Sequence, residues 1–401
     1  MSGAVGRMSG SFRTFTLGSL HVSTVIGSVA KDKDLNAMKP TPLHVLTILT
    51  AALVAAVSWH TAATTPAASA ASGQASARND GLTHRFEKVS DTIYNAVTTV
   101  RGITESNSAV IINRDDVLIV DSHVTPWTAE RLVQDIRTLT DKPVRWVVNS
   151  HYHFDHAHGN QIFVGNAMIV GTEYTRKQLL TNVLEQMTSK SFTDVVPGRI
   201  ENLKKQLAAE PDAAKKAELQ GQLAVQDAYW ASLQQIRPTP PNLTINTRTT
   251  LFFGDREVQL LFLGRGHTGG DLVLYLPRER VLATGDLMEP PPLVSYAGDG
   301  YVEDWINTLE QLKKYPFDAA IPGHGPVFRD ANMINQFQTY LRDLLAQVRR
   351  LKQQGLLPEE AAKQIDMTAH AKVYTNIRGA GVDVRGVRRL YDLLDGRDLI
   401  R

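Results

Sequence analysis

A chain of 401 residues with 43% apolar and 21% charged residues can bury a substantial core, which excludes a disordered or fibrous class. Its formal net charge of +2 offers no basic surplus for a polyanion, so no nucleic-acid partner is expected. The absence of cysteine excludes disulfides and thiolate metal ligands.

Residues 1–37 read as sequence upstream of the true start, Met38. Residues 38–77 read as a signal peptide: Lys39 precedes an uncharged apolar run from Val45 to Val57, and Ala68-Ser69-Ala70 and Ala75-Ser76-Ala77 are small-residue cleavage sites. That run is shorter than the roughly 20 residues needed to span a bilayer, so the membrane is met only through the export signal and the protein is expected in the periplasm or secreted. From residue 78 onward 38 basic residues face 39 acidic ones, a nearly neutral exported chain.

A first domain is expected over 78–335. Thr99 to Ile112, Val117 to Asp121 and Val144 to Val148 read as strands, with Pro126 to Thr140 helical between the last two. Directly after the third strand comes His151-Tyr152-His153-Phe154-Asp155-His156, four potential metal ligands in six residues. If the strand continued, His151 and His153 would share a face, with Asp155 and His156 at the turn toward a helix-like segment near Asn160. Imidazoles and carboxylates suit a borderline divalent ion, and this crowding suggests two. Residues 174–237 break the strand pattern with helix-spaced pairs such as Leu203 and Leu207, interrupted by Pro197-Gly198 and Pro211, and read as a helical insertion forming a wall or lid.

A second strand-rich half begins near Leu251 and supplies three more strand-end ligand candidates. His267 follows the apolar run Val258 to Leu263 in a glycine-rich turn, Asp286 follows Val281 to Gly285, and His324 follows Ala319 to Gly323. Tyr296, in a Pro/Gly-rich loop, is a candidate oxyanion donor. Asp121 and Asp271 are candidate carboxylates for fixing histidine tautomers, while His123 and His158 read as polar supporting or surface residues. From Ala331 the spacing of Phe337, Leu341, Leu344, Leu345 and Val348 predicts a long amphipathic helix, so 336–401 forms a C-terminal helical segment. Its Arg385, Arg388 and Arg389 could meet an anionic group.

These motifs, H-x-H-x-D-H, G-H-T-x-G-D, T-G-D and P-G-H-G in that order between Phe86 and Phe328, together with Val117-Leu118-Ile119-Val120-Asp121, resemble the metallo-β-lactamase superfamily. The resemblance implies an α/β fold, a four-layer αβ/βα sandwich. It implies that His151, His153 and His267 hold one metal, that Asp155, His156 and His324 hold a second, and that Asp286 bridges them. The ligand set is similar to that of glyoxalase II-like hydrolases, with the histidine-rich β-lactamase subclass also similar. Two Zn2+ are expected, with iron or manganese as alternatives.

The activity so implied is hydrolysis of a small-molecule carbonyl substrate by a metal-bound hydroxide, with Asp155 and Asp286 as the catalytic carboxylates. Export favours a β-lactam or lactone. Alternatives are a thioesterase of glyoxalase II type or an iron persulfide dioxygenase, since fold and motif do not select among substrates. A homo-oligomer stays open.

Overall fold

A computed structural model describes residues 83–399 apart from 101, 102, 104 and 182. The readings of 1–37 as upstream sequence and of 38–77 as a signal lie outside the described residues. Seven strands form a first sheet in chain order: β1 (His84–Lys88), β2 (Ile93–Thr98), β3 (Ser108–Ile112), β4 (Val117–Val120), β5 (Val144–Val148), β6 (Met168–Gly171) and β7 (Leu243–Thr244). Five more, β8 (Arg248–Phe253), β9 (Arg256–Phe262), β10 (Leu272–Leu276), β11 (Val281–Gly285) and β12 (Ala319–Pro322), form a second sheet in the order β12-β11-β10-β9-β8. Pairing is parallel from β4 through β7 and between β11 and β12, and antiparallel elsewhere.

Among the described residues ten α-helices accompany the sheets: α1 (Pro126–Ile136), α2 (Phe154–Ala157), α3 (Glu173–Leu179), α4 (Met187–Thr193), α5 (Val196–Ala209), α6 (Ala213–Leu233), α7 (Val302–Leu312), α8 (Asn332–Gln353), α9 (Pro358–Gln364) and α10 (Val384–Leu394). Thr125 starts α1, accepting from Thr128 N while the Thr128 hydroxyl answers the Thr125 N–H, with Pro126 at the first helical position. Among the described residues no helix is long and apolar enough to cross a membrane.

The alternation of each strand sorts its side chains between layers. Along β4, Leu118 and Val120 face a core shared by the two sheets, whereas Val117 and Ile119 face Leu132 and Ile136 of α1. Along β10, Leu272, Leu274 and Leu276 enter the shared core, and Val273 and Tyr275 pack outward in the cluster that α7, α8 and α10 cover. Buried strands with apolar residues on both faces need a helical layer on each side, and the result is the expected four-layer sandwich. Helix α8 lays Phe337, Leu341, Leu344, Leu345 and Val348 on the second sheet's outer cluster, as their spacing predicted.

Three local expectations need correction. The strand expected over Thr99 to Ile112 begins only at Ser108, because the preceding residues brace other loops: Ser106 Oγ donates to Asp155 O at 2.7 Å, and Asn107 Nδ2 donates to Pro322 O at 3.0 Å and Gly325 O at 2.8 Å. Helix α1 stops at Ile136 rather than Thr140, since Thr138 turns its hydroxyl onto Asp135 O. Strand β5 ends at Val148, so His151 and His153 sit in the connection to α2 and not on an extended strand.

Candidate metal centre

Every candidate ligand follows a strand of the sandwich. His151, His153, Asp155 and His156 follow β5, His267 lies in the turn between β9 and β10, Asp286 follows β11, and His324 follows β12. A parallel pair presents its C-terminal ends at the same edge, so β5 beside β4 and β12 beside β11 bring these loops together. The glycines around them permit the approach. Gly285, at φ 51°, lies where an added Cβ would press on the Ser150 hydroxyl, and a Cβ on Gly323 would overlap Asp286 Oδ1 and crowd the His156 ring.

All seven predicted ligands meet. His153 Nδ1 lies 3.0 Å from His151 Nε2 and 2.9 Å from His267 Nε2. Asp155 Oδ2 lies 3.0 Å from His324 Nε2 and 3.6 Å from His156 Nε2. Asp286 stands between the two groups: its Oδ2 is 3.4 Å from His267 Nε2, 3.9 Å from His151 Nε2 and 3.6 Å from His324 Nε2, and its Oδ1 is 3.3 Å from His156 Nε2. Six of the seven are buried, and only His324 keeps a substantial part, 27%, of its side chain exposed, marking the side from which solvent reaches the cluster.

The donors fit divalent cations. Ser150 Oγ gives its proton to Asp121 Oδ2 at 2.8 Å and sits 3.0 Å from His151 Nδ1, so it receives the imidazole's N–H and leaves Nε2 as a lone pair. His156 Nδ1 donates to Asp121 Oδ2 at 2.8 Å, and His153 Nε2 donates to Asp299 Oδ2 at 2.9 Å. For His151 and His153 this leaves the nitrogen aimed at the cluster without its proton, the form a metal takes, while for His156 a cation would have to displace the proton that its carboxylate neighbours favour. His156 Nε2 and Asp286 Oδ1 are buried with no hydrogen-bond partner, which is costly unless a cation satisfies them.

Electrostatics separates the imidazoles. Burial holds His151 well below the ordinary range, helped by His156, His153 and His267, and burial takes His267 down to about 3. Burial would lower His156 too, but Asp286, Asp155 and Asp121 outweigh it and hold it well above its ordinary value. Asp286 shows the converse: burial opposes its charge, yet His156 and His324 keep it ionised well below the carboxylate range.

The supporting residues divide. Asp121 carries out the tautomer-fixing role expected of it, from a backbone at φ 70° that turns its carboxylate onto Ser150 N at 2.7 Å as well as His156. Asp271 does not: both its oxygens accept from Thr268 N at 3.0 Å and one from Thr268 Oγ1 at 2.6 Å, so it closes the glycine-rich turn that holds His267. His123 and His158 are buried, not at the surface, and neither joins a ligand group among the described residues. Arg388 pairs with Glu359 and Arg389 with Asp398 and the Tyr301 ring, leaving only Arg385, stacked over Tyr296, near the cluster. The Tyr296 ring lies 6.2 Å from that of His153 and 6.4 Å from that of His267.

Sequence reasoning missed Asp299, which receives His153 and, at 2.7 Å, Thr188 Oγ1. It sits mid-loop between Gly298 and Gly300, away from any strand end. It also missed Glu289, three residues past Asp286, whose buried carboxyl, raised to about 8 by burial and then by Asp286, has an oxygen within the ligand range of Asp286 and His324.

The family described as Metallo-beta-lactamase superfamily matches residues 101–324, more than half of the chain, and the chain belongs to it. Among curated proteins, the chain is 23% identical over 280 residues to a linear primary-alkylsulfatase from Pseudomonas sp. (strain ATCC 19151), covering 65% of this chain and 50% of that protein. It is 30% identical over 161 residues to a type 2 metallo-beta-lactamase from Bacillus cereus, covering 37% of this chain and 59% of that one. The chain thus spans about half the length of these relatives. A solved metallo-beta-lactamase from Pontibacter korlensis aligns with a TM-score of 0.46 and 19% identity over 65% of this chain and 99% of that chain.

Proposed function

We propose that this protein is a binuclear, zinc-dependent hydrolase of a small carbonyl substrate, a β-lactam or lactone, acting outside the cytoplasm. The observation that carries the reading is Asp286, one carboxylate set between two three-residue ligand groups, His151/His153/His267 and Asp155/His156/His324. Two divalent ions held there would supply an activated water and a Lewis acid for the substrate's carbonyl oxygen. The chain's own part is to hold the imidazoles in the ligating tautomer through Asp121 and Asp299, and to keep Asp155 charged. Although burial opposes that charge, His156 and His324 hold the Asp155 carboxyl down at about 2, so it stays ionised as a ligand for a cation and is a weak base. Export is supported by the apolar run and small-residue sites of 38–77.

A second reading, sulfate-ester hydrolysis, is favoured by the match to the alkylsulfatase, which extends over more of this chain than the match to the Bacillus cereus β-lactamase. One experiment separates them: metal content by mass spectrometry on the purified protein, with nitrocefin, a simple lactone, a thioester and dodecyl sulfate assayed in parallel. Two zincs and turnover of nitrocefin or the lactone support the first reading, and turnover of dodecyl sulfate alone supports the second. One iron without hydrolysis of any of them overturns both. His153→Ala should deplete the metal and abolish turnover; full activity without that imidazole would refute the ligand assignment.

A further inference from the structure

Beside the ligand cluster lies a cavity of about 620 Å³ that no step of the hydrolysis uses. Its walls come from the loop carrying Leu293 and Tyr296, from Leu344 of α8, from Val387 of α10 and from Phe192 of α4. Three of these residues also touch the arms of the metal centre. The Tyr296 ring stands against His153 and His267, Phe192 stacks on Phe154 at 5.2 Å next to Asp155, and Leu293 lies 3.0 Å from where a Cβ on Gly325 would sit, next to His324. The cavity therefore borders the ligand loops through these three residues, although none of the seven ligands lines it. Its volume falls in the range of small-molecule pockets, roughly 300–1,000 Å³.

The lining is mainly aliphatic and aromatic, and of its charged residues, Arg378, Asp383 and Arg385, two pair with each other. Arg385 is held by Asp383 at 2.6 Å and lies 4.7 Å over the Tyr296 ring. Phe192 lines the cavity and leaves 38% of its surface exposed. We propose that this cavity is the site for an apolar tail of the substrate, so that the hydrolysed group is carried on an alkyl or acyl chain. The site deepens the hydrolase reading and rests on it for the orientation of the tail, head toward Asp286 and end toward Leu344 and Val387. A tail buried there leaves water at about 0.8 kcal/mol per methylene, which is about a fourfold gain in binding for each carbon added.

The test has two arms. In the first, titration calorimetry on the holoprotein compares decanoate with acetate, which share a carboxylate and differ in the tail. Decanoate should bind at least about a hundredfold more tightly, and Leu344→Trp and Val387→Trp, which fill the cavity from α8 and from α10, should each remove most of that difference. Decanoate no tighter than acetate, or a difference that survives both substitutions in folded protein, overturns the proposal. In the second arm, γ-lactones with side chains from methyl to octyl are assayed for kcat/KM. A rise with chain length that flattens in the two variants supports the site, and equal rates across the series overturn it. Absence of γ-lactone turnover alongside tail-dependent decanoate binding would refute the lactone reading and leave the tail site standing.

Discussion

Asp121 joins two ligands through one carboxylate, receiving His156 Nδ1 directly and His151 through Ser150 Oγ. Asp121→Asn would set an amide nitrogen either against Ser150 N–H or against the His156 and Ser150 Oγ donors, so the bonds that orient the two rings could not all be kept. Residues in this position typically influence metal affinity by about 10- to 100-fold, and a loss of that size is expected in competition with a chromogenic chelator; unaltered affinity would sink the tautomer argument. A different residue sets a pH dependence. Glu105 is fully buried beside His123, and burial raises its carboxyl to about 8, only partly offset by the Val124 N–H it accepts at 3.0 Å. Because the folded pKa lies above the unfolded one, near 4.3, the unfolded chain releases this proton first, and stability falls as pH rises from there toward 8, by about 1.4 kcal/mol per unit. Glu105→Gln keeps an acceptor for Val124 and cannot ionise. Urea unfolding at pH 5 and at pH 8 should therefore show a smaller loss in the variant than in the wild type, and equal losses would mean that Glu105 is ionised in the fold.

At the scale of elements, the connection before β3 does what a strand there could not. Asn107 reaches from the first sheet to the β12 loop, with its amide on Pro322 O and Gly325 O and its backbone N–H on Gly323 O at 2.6 Å, on either side of His324. Asn107→Ala removes two side-chain bonds worth about 1 kcal/mol each and leaves buried carbonyls without that partner. The expected outcome is a loss of about 2 kcal/mol in chemical denaturation together with faster loss of bound metal during dialysis than in the wild type; unchanged retention would argue that the connection does not brace His324. This element shows where sequence pattern stops. Alternation and strand-end glycines located β4, β5, β11 and β12 and the ligands that follow them, because those signals are local. Asn107, Ser106 and Asp299 act on partners far away in sequence, Asp299 on His153 and Asn107 on Pro322, and no local periodicity encodes such a pairing.

For the molecule as a whole, the same long-range closure makes the ligand cluster part of the stability of the fold. One ligand loop leaves the first sheet and three belong to the second, so ions held among them would tie the two sheets together at one edge. Whatever binds the native state and not the unfolded chain adds RT ln(1 + [L]/Kd), about 2.7 kcal/mol when the free metal is 100 times its Kd. For a domain of this size that corresponds to a shift of roughly 5 °C. The melting temperature should fall by about that amount or more when the protein is treated with a strong chelator, and zinc should restore it. The increment has a definite pH sign. Ligation requires neutral imidazoles, and in the stripped fold Asp286 and Asp155 outweigh burial to hold His324 up at about 9 and His156 well above its ordinary value, so protons compete with metal increasingly as pH falls and the difference between loaded and stripped protein should shrink. A melting temperature indifferent to the chelator at neutral pH would mean that the seven side chains meet without holding a metal in the native protein.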